Sequence, residues 1–354
     1  MGNESSSPSQ LKDIFKSSNY SLNDSGKVVG LKDGKLGVFS DYIINIYEQI
    51  NYKEIDQIKT KEKIEKIINI IELDNNDLIL YCQKNNGTKF PDDIIKIYKL
   101  NNGKYEYVQT ITDDGNDYKE IKFRLYCRIC NTIYNINDIL KISDNRFITL
   151  SSLGFKIYSY SNEDSKYSYI LKYQDNDYKS IERICVLNNN ELIIFARDFQ
   201  TAGLMAFFTS EFDKVLVDKF DIRNKTAKRI WYKKFEYASL DVSNCVILKK
   251  KFLVVRINEE FYIFDIIKGK KLMIYLPVRN KNNLGDLYSW KTESDDVFLS
   301  IKNDMINLIQ FNETWNSLKV IESYRFNYIN KIENLNHFYS CSSEDTEIKS
   351  IDIY

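Results

Sequence analysis

The sequence of 354 residues holds one histidine, His337, with three prolines and twelve glycines. Histidine is the side chain most often used for proton relay and for zinc, so a single one excludes histidine-built metal clusters. It also leaves every Ser-His-Asp or Cys-His arrangement dependent on one residue. The scarcity of proline and glycine excludes collagen-like and Pro-rich architectures. No run of about 18 apolar residues occurs, and no charged stretch followed by a short apolar one opens the chain. Neither a membrane-spanning helix nor a secretory signal is therefore expected. The six cysteines are sparse and lie in apolar stretches, and read as buried small hydrophobes of a cytoplasmic chain. Cys127-Arg128-Ile129-Cys130 is a lone C-x-x-C. Residues three apart on a strand face opposite ways, so neither metal nor redox use is expected of it.

Charge of one sign is also lacking as an excess: 50 Lys+Arg balance 50 Asp+Glu. A neutral sum argues against a globally basic nucleic-acid binder and against an acidic tail protein. What is present is apolar mass, 43% hydrophobic and 14% aromatic residues, enough for a sizeable core. Length alone would give two domains, but an internal repeat overrides that prior.

The repeat shows as Ile67-x-x-Ile70-x-x-Leu73 followed by Leu78, Ile136-x-x-Ile139-x-x-Ile142 followed by Phe147, and Ile181-x-x-Ile184-x-x-Leu187 followed by Leu192. Between the last two positions lies a polar turn, such as Asp74-Asn75-Asn76-Asp77, whose residues tolerate left-handed geometry. The pattern predicts strand, tight turn, strand. Fainter copies surround Leu36, Phe252, Val297 and Phe338, so the anchors recur about every 50 residues. Helical spacing of Ile64, Ile67, Ile68 and Ile71 offers an amphipathic helix over 59–73, but the alignment with the other units favours strand from Ile67. Alternating third strands follow, as in Ile95-Lys96-Ile97-Tyr98 and Phe155-Lys156-Ile157-Tyr158, and a turn such as Asn101-Asn102-Gly103-Lys104 leads to a fourth. Four antiparallel strands per repeat of 40 to 50 residues make the blade of a β-propeller.

At these residues the chain resembles the WD40 family in a variant form. The stretch from Ile95 to Lys104 is similar to the family's segment ending in Trp-Asp and a Gly-Lys turn, with Tyr98 where Trp stands and Lys99 where Asp stands. No Trp-Asp dipeptide occurs, Phe264-Asp265 being the nearest, and no Gly-His pair. The reading is an all-β, seven-bladed propeller of four-stranded antiparallel blades, with six or eight blades as alternatives. The departures imply that the Asp-His-Ser-Trp network of WD40 blades is missing, its place taken by packing of Tyr, Phe and Ile. Residues 1–9 are then a flexible arm and 10–354 a single domain. Its last blade, 329–354, is closed by a strand from 10–17, where Leu11, Ile14 and Phe15 lie.

Chemistry is thin. Gly30-Leu31-Lys32-Asp33-Gly34-Lys35 has the wrong glycine spacing for a phosphate loop, and Leu36 stands where Ser or Thr is required. Acidic runs at 113–117 and 293–296 lack the calcium-loop pattern. No catalytic residue, cofactor or metal is expected. The N-terminus, Met1-Gly2-Asn3-Glu4-Ser5-Ser6, fits the myristoylation signal, with Gly2 as the acylated amine. One acyl chain binds membranes only marginally, so a second signal is needed. The window from Arg223 to Lys281 supplies one, with fifteen basic residues against five acidic. Its densest part holds Arg223, Lys225, Lys228, Arg229, Trp231, Lys233 and Lys234, the cation and aromatic mix favoured at an anionic lipid surface. The expectation is a non-enzymatic protein-interaction scaffold, cytoplasmic and peripheral at a membrane. Its partners are other proteins and an anionic membrane surface. Nucleic acid is not expected, for want of a recognition motif. The alternatives are an enzyme or small-ligand propeller with a central-channel site, and a structural subunit of a large assembly such as a cilium or vesicle coat.

Overall fold

The computed structural model describes residues 16–21, 27–48, 53–60, 65–85, 87, 92–113, 136–142, 145–151, 154–175, 178–188, 190–198, 213–223, 226–237, 242–257, 260–272, 285–289, 296–302, 305–314, 317–325, 337–341 and 347–352. Among the described residues are 27 strands in seven antiparallel sheets; the one helical element is the three-residue 3-10 turn Lys32–Gly34.

Six sheets have four strands each, neighbours in space as in sequence. The first is β2 (Lys27–Leu31), β3 (Lys35–Phe39), β4 (Ile43–Glu48) and β5 (Glu54–Lys59). The second is β6 (Glu65–Glu72), β7 (Leu78–Lys84), β8 (Asp92–Asn101) and β9 (Lys104–Asp113). The third is β10 (Ile136–Ile142), β11 (Arg146–Ser151), β12 (Gly154–Ser161) and β13 (Lys166–Gln174). The fourth is β14 (Tyr178–Asn188), β15 (Glu191–Asp198), β16 (Asp213–Asp221) and β17 (Lys228–Tyr237). The fifth is β18 (Val242–Leu248), β19 (Phe252–Ile257), β20 (Glu260–Asp265) and β21 (Lys270–Leu272), and the sixth β22 (Asp286–Ser289), β23 (Val297–Lys302), β24 (Met305–Asn312) and β25 (Ser317–Arg325). The last sheet has the order β1 (Lys16–Ser21), β27 (Glu347–Asp352), β26 (His337–Cys341), with Lys16 opposite Asp352 and Ser21 opposite Glu347.

Ten of the twelve spaced residues that define the repeat are core: Ile67, Ile70, Leu73, Leu78, Ile139, Ile142, Phe147, Ile181, Ile184 and Leu192 are buried, while Leu187 is half-buried and the Ile136 side chain lies outside the description. The turns follow their chemistry. Asn76 (φ 64°), Asn145 (φ 57°) and the pair Asn102-Gly103 (φ 49° and 82°) supply the left-handed positions of tight hairpins. The β18–β19 turn breaks that rule, with Lys249 (φ 50°) and Lys250 (φ 51°) where Asn-Gly is usual. Segment 65–72 is strand, not helix: Ile67 lies opposite Cys82 and Glu72 opposite Leu78, so sheet pairing overrides the helical spacing.

The chain falls into two compact units, residues 31–240 and residues 1–30 with 241–354. In the first, β6–β9 and β10–β13 close on Ile71, Leu73, Ile79, Ile97, Ile139 and Phe147, while β10–β13 and β14–β17 close on Ile148, Phe155, Ile157, Ile184, Ile194 and Phe220. Phe155 and Phe220 meet edge to face at 6.3 Å. In the second, Val246, Phe252, Val254, Phe298, Ile309 and Phe311 fill the space between β18–β21 and β22–β25. Burying each such side chain contributes about 2–3 kcal/mol, so these inter-sheet faces dominate stability.

The cysteines need a correction. Cys82 is a buried thiol on β7, but Cys185 on β14 and Cys245 on β18 are disulfide-bonded. A disulfide depends on which strands end up adjacent, which scattered spacing does not reveal.

Candidate interaction surface

Adjacent sheets of residues 31–240 are tied by side chains at one repeated position, the second residue of the fourth strand. Tyr105 lies opposite Leu100, Tyr167 opposite Tyr160 and Arg229 opposite Phe220. The Tyr105 amide donates to Asp56 Oδ2 at 2.8 Å, and the Tyr167 amide to Gln109 Oε1 at 2.8 Å. Asp56 and Gln109 hold the same register in successive sheets, opposite Ile46 and Ile97. The phenol ends meet carboxylates. Tyr105 donates to Glu72 Oε1 at 2.7 Å and Tyr167 to Asp77 Oδ2 at 2.7 Å, with Asn75 Nδ2 also donating to Asp77 Oδ2 at 2.8 Å. Burial, then the carboxylate partners, push both phenols above the usual tyrosine range. Apolar packing alone was the expected substitute for the WD40 network. Hydrogen bonds between tyrosines and carboxylates share the task.

Arg229 makes the third tie with charge. Its guanidinium donates to Asp218 Oδ2 at 3.0 Å, to Asp175 and to the Tyr173 hydroxyl at 3.3 Å, and stands 5.7 Å from the Phe220 ring centre. Arg223 is more exposed, 63% of its side chain, and forks onto Asp221, with Nε 2.8 Å from Oδ2 and 3.0 Å from Oδ1. Those bonds, with one from the Arg223 amide, push the Asp221 carboxyl down to about 2.

Of the other residues expected at an anionic surface, Lys228 is exposed and Trp231 half-buried on β17. Lys233 and Lys234 lie on the same strand opposite Val217 and Leu216. Gly2, Lys225, Cys127 and Cys130 lie outside the described residues. The structure thus brings five of the seven basic or aromatic residues onto one edge strand, and it occupies both arginines with carboxylates.

A surface that the sequence reading missed runs along the fourth strands. In five four-stranded sheets this strand carries one residue more than its partner: Ile55, Val108, Ile170, Ile230 and Ile321 are the inserted residues. Val108, Ile230 and Ile321 are 40%, 45% and 48% exposed, and Tyr107 and Tyr169 beside the insertions are 46% and 56%. Tyr107 stands edge-on to Tyr98 at 5.8 Å and Tyr169 edge-on to Tyr158 at 6.5 Å. The signal was present: Tyr107-Val108, Tyr169-Ile170 and Val320-Ile321 place two apolar residues side by side, against the period of two.

No family model matches the sequence, and no curated protein matches it. Solved structures do. A chain of the crystal structure of the mitotic checkpoint complex shares 8% identity at a TM-score of 0.59, covering 100% of this chain and 99% of that one. The periplasmic gluconolactonase PpgL of Pseudomonas aeruginosa shares 9% identity at 0.58, covering 93% and 88%. Hsv2p of Kluyveromyces lactis shares 8% at 0.54, covering 86% and 87%. The fold is of β-propeller type. At these identities the likeness extends to the fold alone. Among the described residues no three His, Cys, Asp or Glu side chains gather as a metal centre requires, and no helix is long and apolar enough to cross a membrane.

Proposed function

We propose that this propeller is a protein-interaction scaffold of seven blades, the seventh closed by β1 against β27. The observation that carries the reading is the repeated outward display of aliphatic and tyrosine side chains on the fourth strands, the composition favoured at protein interfaces. A similar fold in a chain of a checkpoint complex supports it. The gluconolactonase neighbour favours an enzyme.

Affinity purification of the tagged chain from its native cells, compared with a Tyr107→Asp, Val108→Asp variant, tests this. Partners retained by the wild type and lost from the variant support the scaffold, and their identity separates a free scaffold from a subunit of a large assembly. Equal recovery from both sinks it. A cytoplasmic, membrane-held address is part of the proposal: alkyne-myristate labelling abolished by Gly2→Ala supports it. The disulfide-bonded state of Cys185 and Cys245 pulls the other way, and counting free thiols in protein from those cells decides between them.

A further inference from the structure

Within residues 241–354, two turns of one sheet come together at one end. The β18–β19 turn runs Leu248-Lys249-Lys250-Lys251, closed by the Lys251 amide on the Leu248 carbonyl at 3.0 Å. The β20–β21 turn runs Ile266-Ile267-Lys268-Gly269, and the Ile266 amide donates to the Lys251 carbonyl at 2.9 Å. Asp265, almost wholly buried, accepts the Ile267 amide at 3.0 Å and the Lys268 amide at 2.9 Å, which sets the second turn in a fixed shape. Ile267 is 67% exposed, more than any other large apolar side chain among the described residues. The same two turns and their flanks carry Lys249, Lys250, Lys251, Lys268 and Lys270. Among the described residues, three carboxylates lie at this end. Glu313 binds Lys251 at 2.6 Å and lies 3.9 Å from Lys249, Asp265 is buried, and half-buried Asp296 precedes the neighbouring β23.

We propose that this end of the β18–β21 sheet docks on an anionic lipid bilayer, with Ile267 entering the headgroup boundary and the five lysines facing lipid phosphates and carboxylates. Two features argue for it. The charge is complementary and concentrated, since five cations share one tip. The apex residue is an aliphatic in a turn position where Gly, Asn, Asp or Ser is usual, and it gains from hydrocarbon what it does not gain from water or a phosphate chain. Consecutive left-handed lysines at 249 and 250 show the backbone held in an unfavourable conformation that keeps their side chains at the tip. The patch shares no residue with the β17 set or with Gly2, so the inference goes beyond the scaffold reading and does not depend on acylation.

The test uses the unacylated full chain, sedimented with phosphatidylcholine vesicles with and without phosphatidylserine. Phosphatidylserine should raise binding by tenfold or more, and added salt should reverse it. Each lysine near the surface contributes roughly fivefold, so Lys250→Glu with Lys268→Glu should lower binding at least about 25-fold. Ile267→Ser should lower it about tenfold, and Lys104→Glu on β9 should leave it unchanged, all with wild-type circular dichroism. The proposal is overturned if phosphatidylserine gives no gain, or if the tip variants bind like wild type. It is overturned equally if Ile267→Ser is silent while single-stranded RNA competes, which would make the tip a general polyanion site. Because the fourth-strand variants of the scaffold test share no residue with these, either reading fails without the other.

Discussion

The Tyr167 hydroxyl donates to Asp77 Oδ2 at 2.7 Å although ninety residues separate them, joining β13 to the turn between β6 and β7. Both groups are buried, so the bond is made where a lone carboxylate would be costly. Tyr167→Phe should lower unfolding free energy by about 1–2 kcal/mol, read by urea titration. Tyr105→Phe should cost a similar amount through Glu72. The Tyr105 bond lies inside the β6–β9 sheet, so an unchanged midpoint for Tyr167→Phe is the result that would show packing alone tying β10–β13 to β6–β9.

The two arginines make a paired comparison. Asp218 keeps only 1% of its side chain exposed, so Arg229→Ala removes a cationic partner from a buried carboxylate and should cost about 2–3 kcal/mol. Arg223→Ala removes an exposed fork and should cost under about 1 kcal/mol. Thermal melts of the two variants in one buffer check the order.

Lys96 and Glu65 form an ion pair inside the β6–β9 sheet, with 6% and 8% of their side chains exposed. Lys96→Ala leaves the carboxylate unpaired and should cost about 3–5 kcal/mol. The double replacement Lys96→Met, Glu65→Leu should come within about 1 kcal/mol of wild type or exceed it. A double replacement as damaging as the single one would mean that the charges themselves are required.

Alkaline pH should unfold the protein. Burial pushes the Cys82 thiol up to about 12 from 9.0 and the Tyr98 phenol up to about 12 from 10.0. Both groups are neutral when protonated, so the unfolded chain loses these protons first. Their contribution is complete below pH 9 and is lost as pH rises from 9 towards 12. Melting temperatures across that range, followed with tyrosinate absorbance, should fall together with the appearance of buried tyrosinate. Ionisation of these tyrosines near pH 10 without loss of structure would contradict it.

Lys250→Gly should stabilise the protein by about 0.5–1 kcal/mol, because it relieves a left-handed lysine. The same change should weaken binding to phosphatidylserine vesicles roughly fivefold. Gained stability with lost binding is the outcome to look for in parallel denaturation and sedimentation.

Strand positions such as Ile67, Ile70 and Leu73 were legible because burial repeats with the strand, and each residue carries its own share of that signal. The equivalence of Tyr105, Tyr167 and Arg229 was not, since it depends on which sheets become neighbours. Counting charge along a window treated Arg229 as free, whereas Asp218 is brought to it by the β16–β17 pairing and Asp175 by the fold. The pairs Tyr107-Val108 and Val320-Ile321 could have been read as insertions, but an interrupted alternation is weak evidence without the partner strand.

Those insertions bear on how the molecule meets others. A flat outermost strand offers a free row of amides and carbonyls onto which a foreign strand can zip, the first step towards fibrils. One extra residue in the middle throws that row out of step on each side, and Lys104, Lys166 and Lys228 begin three of these strands with a positive charge. Both features disfavour strand pairing between copies along these edges. A partner at the rim must grip what projects from it, such as Tyr107, Ile230 or Ile321, and cannot simply extend the sheet.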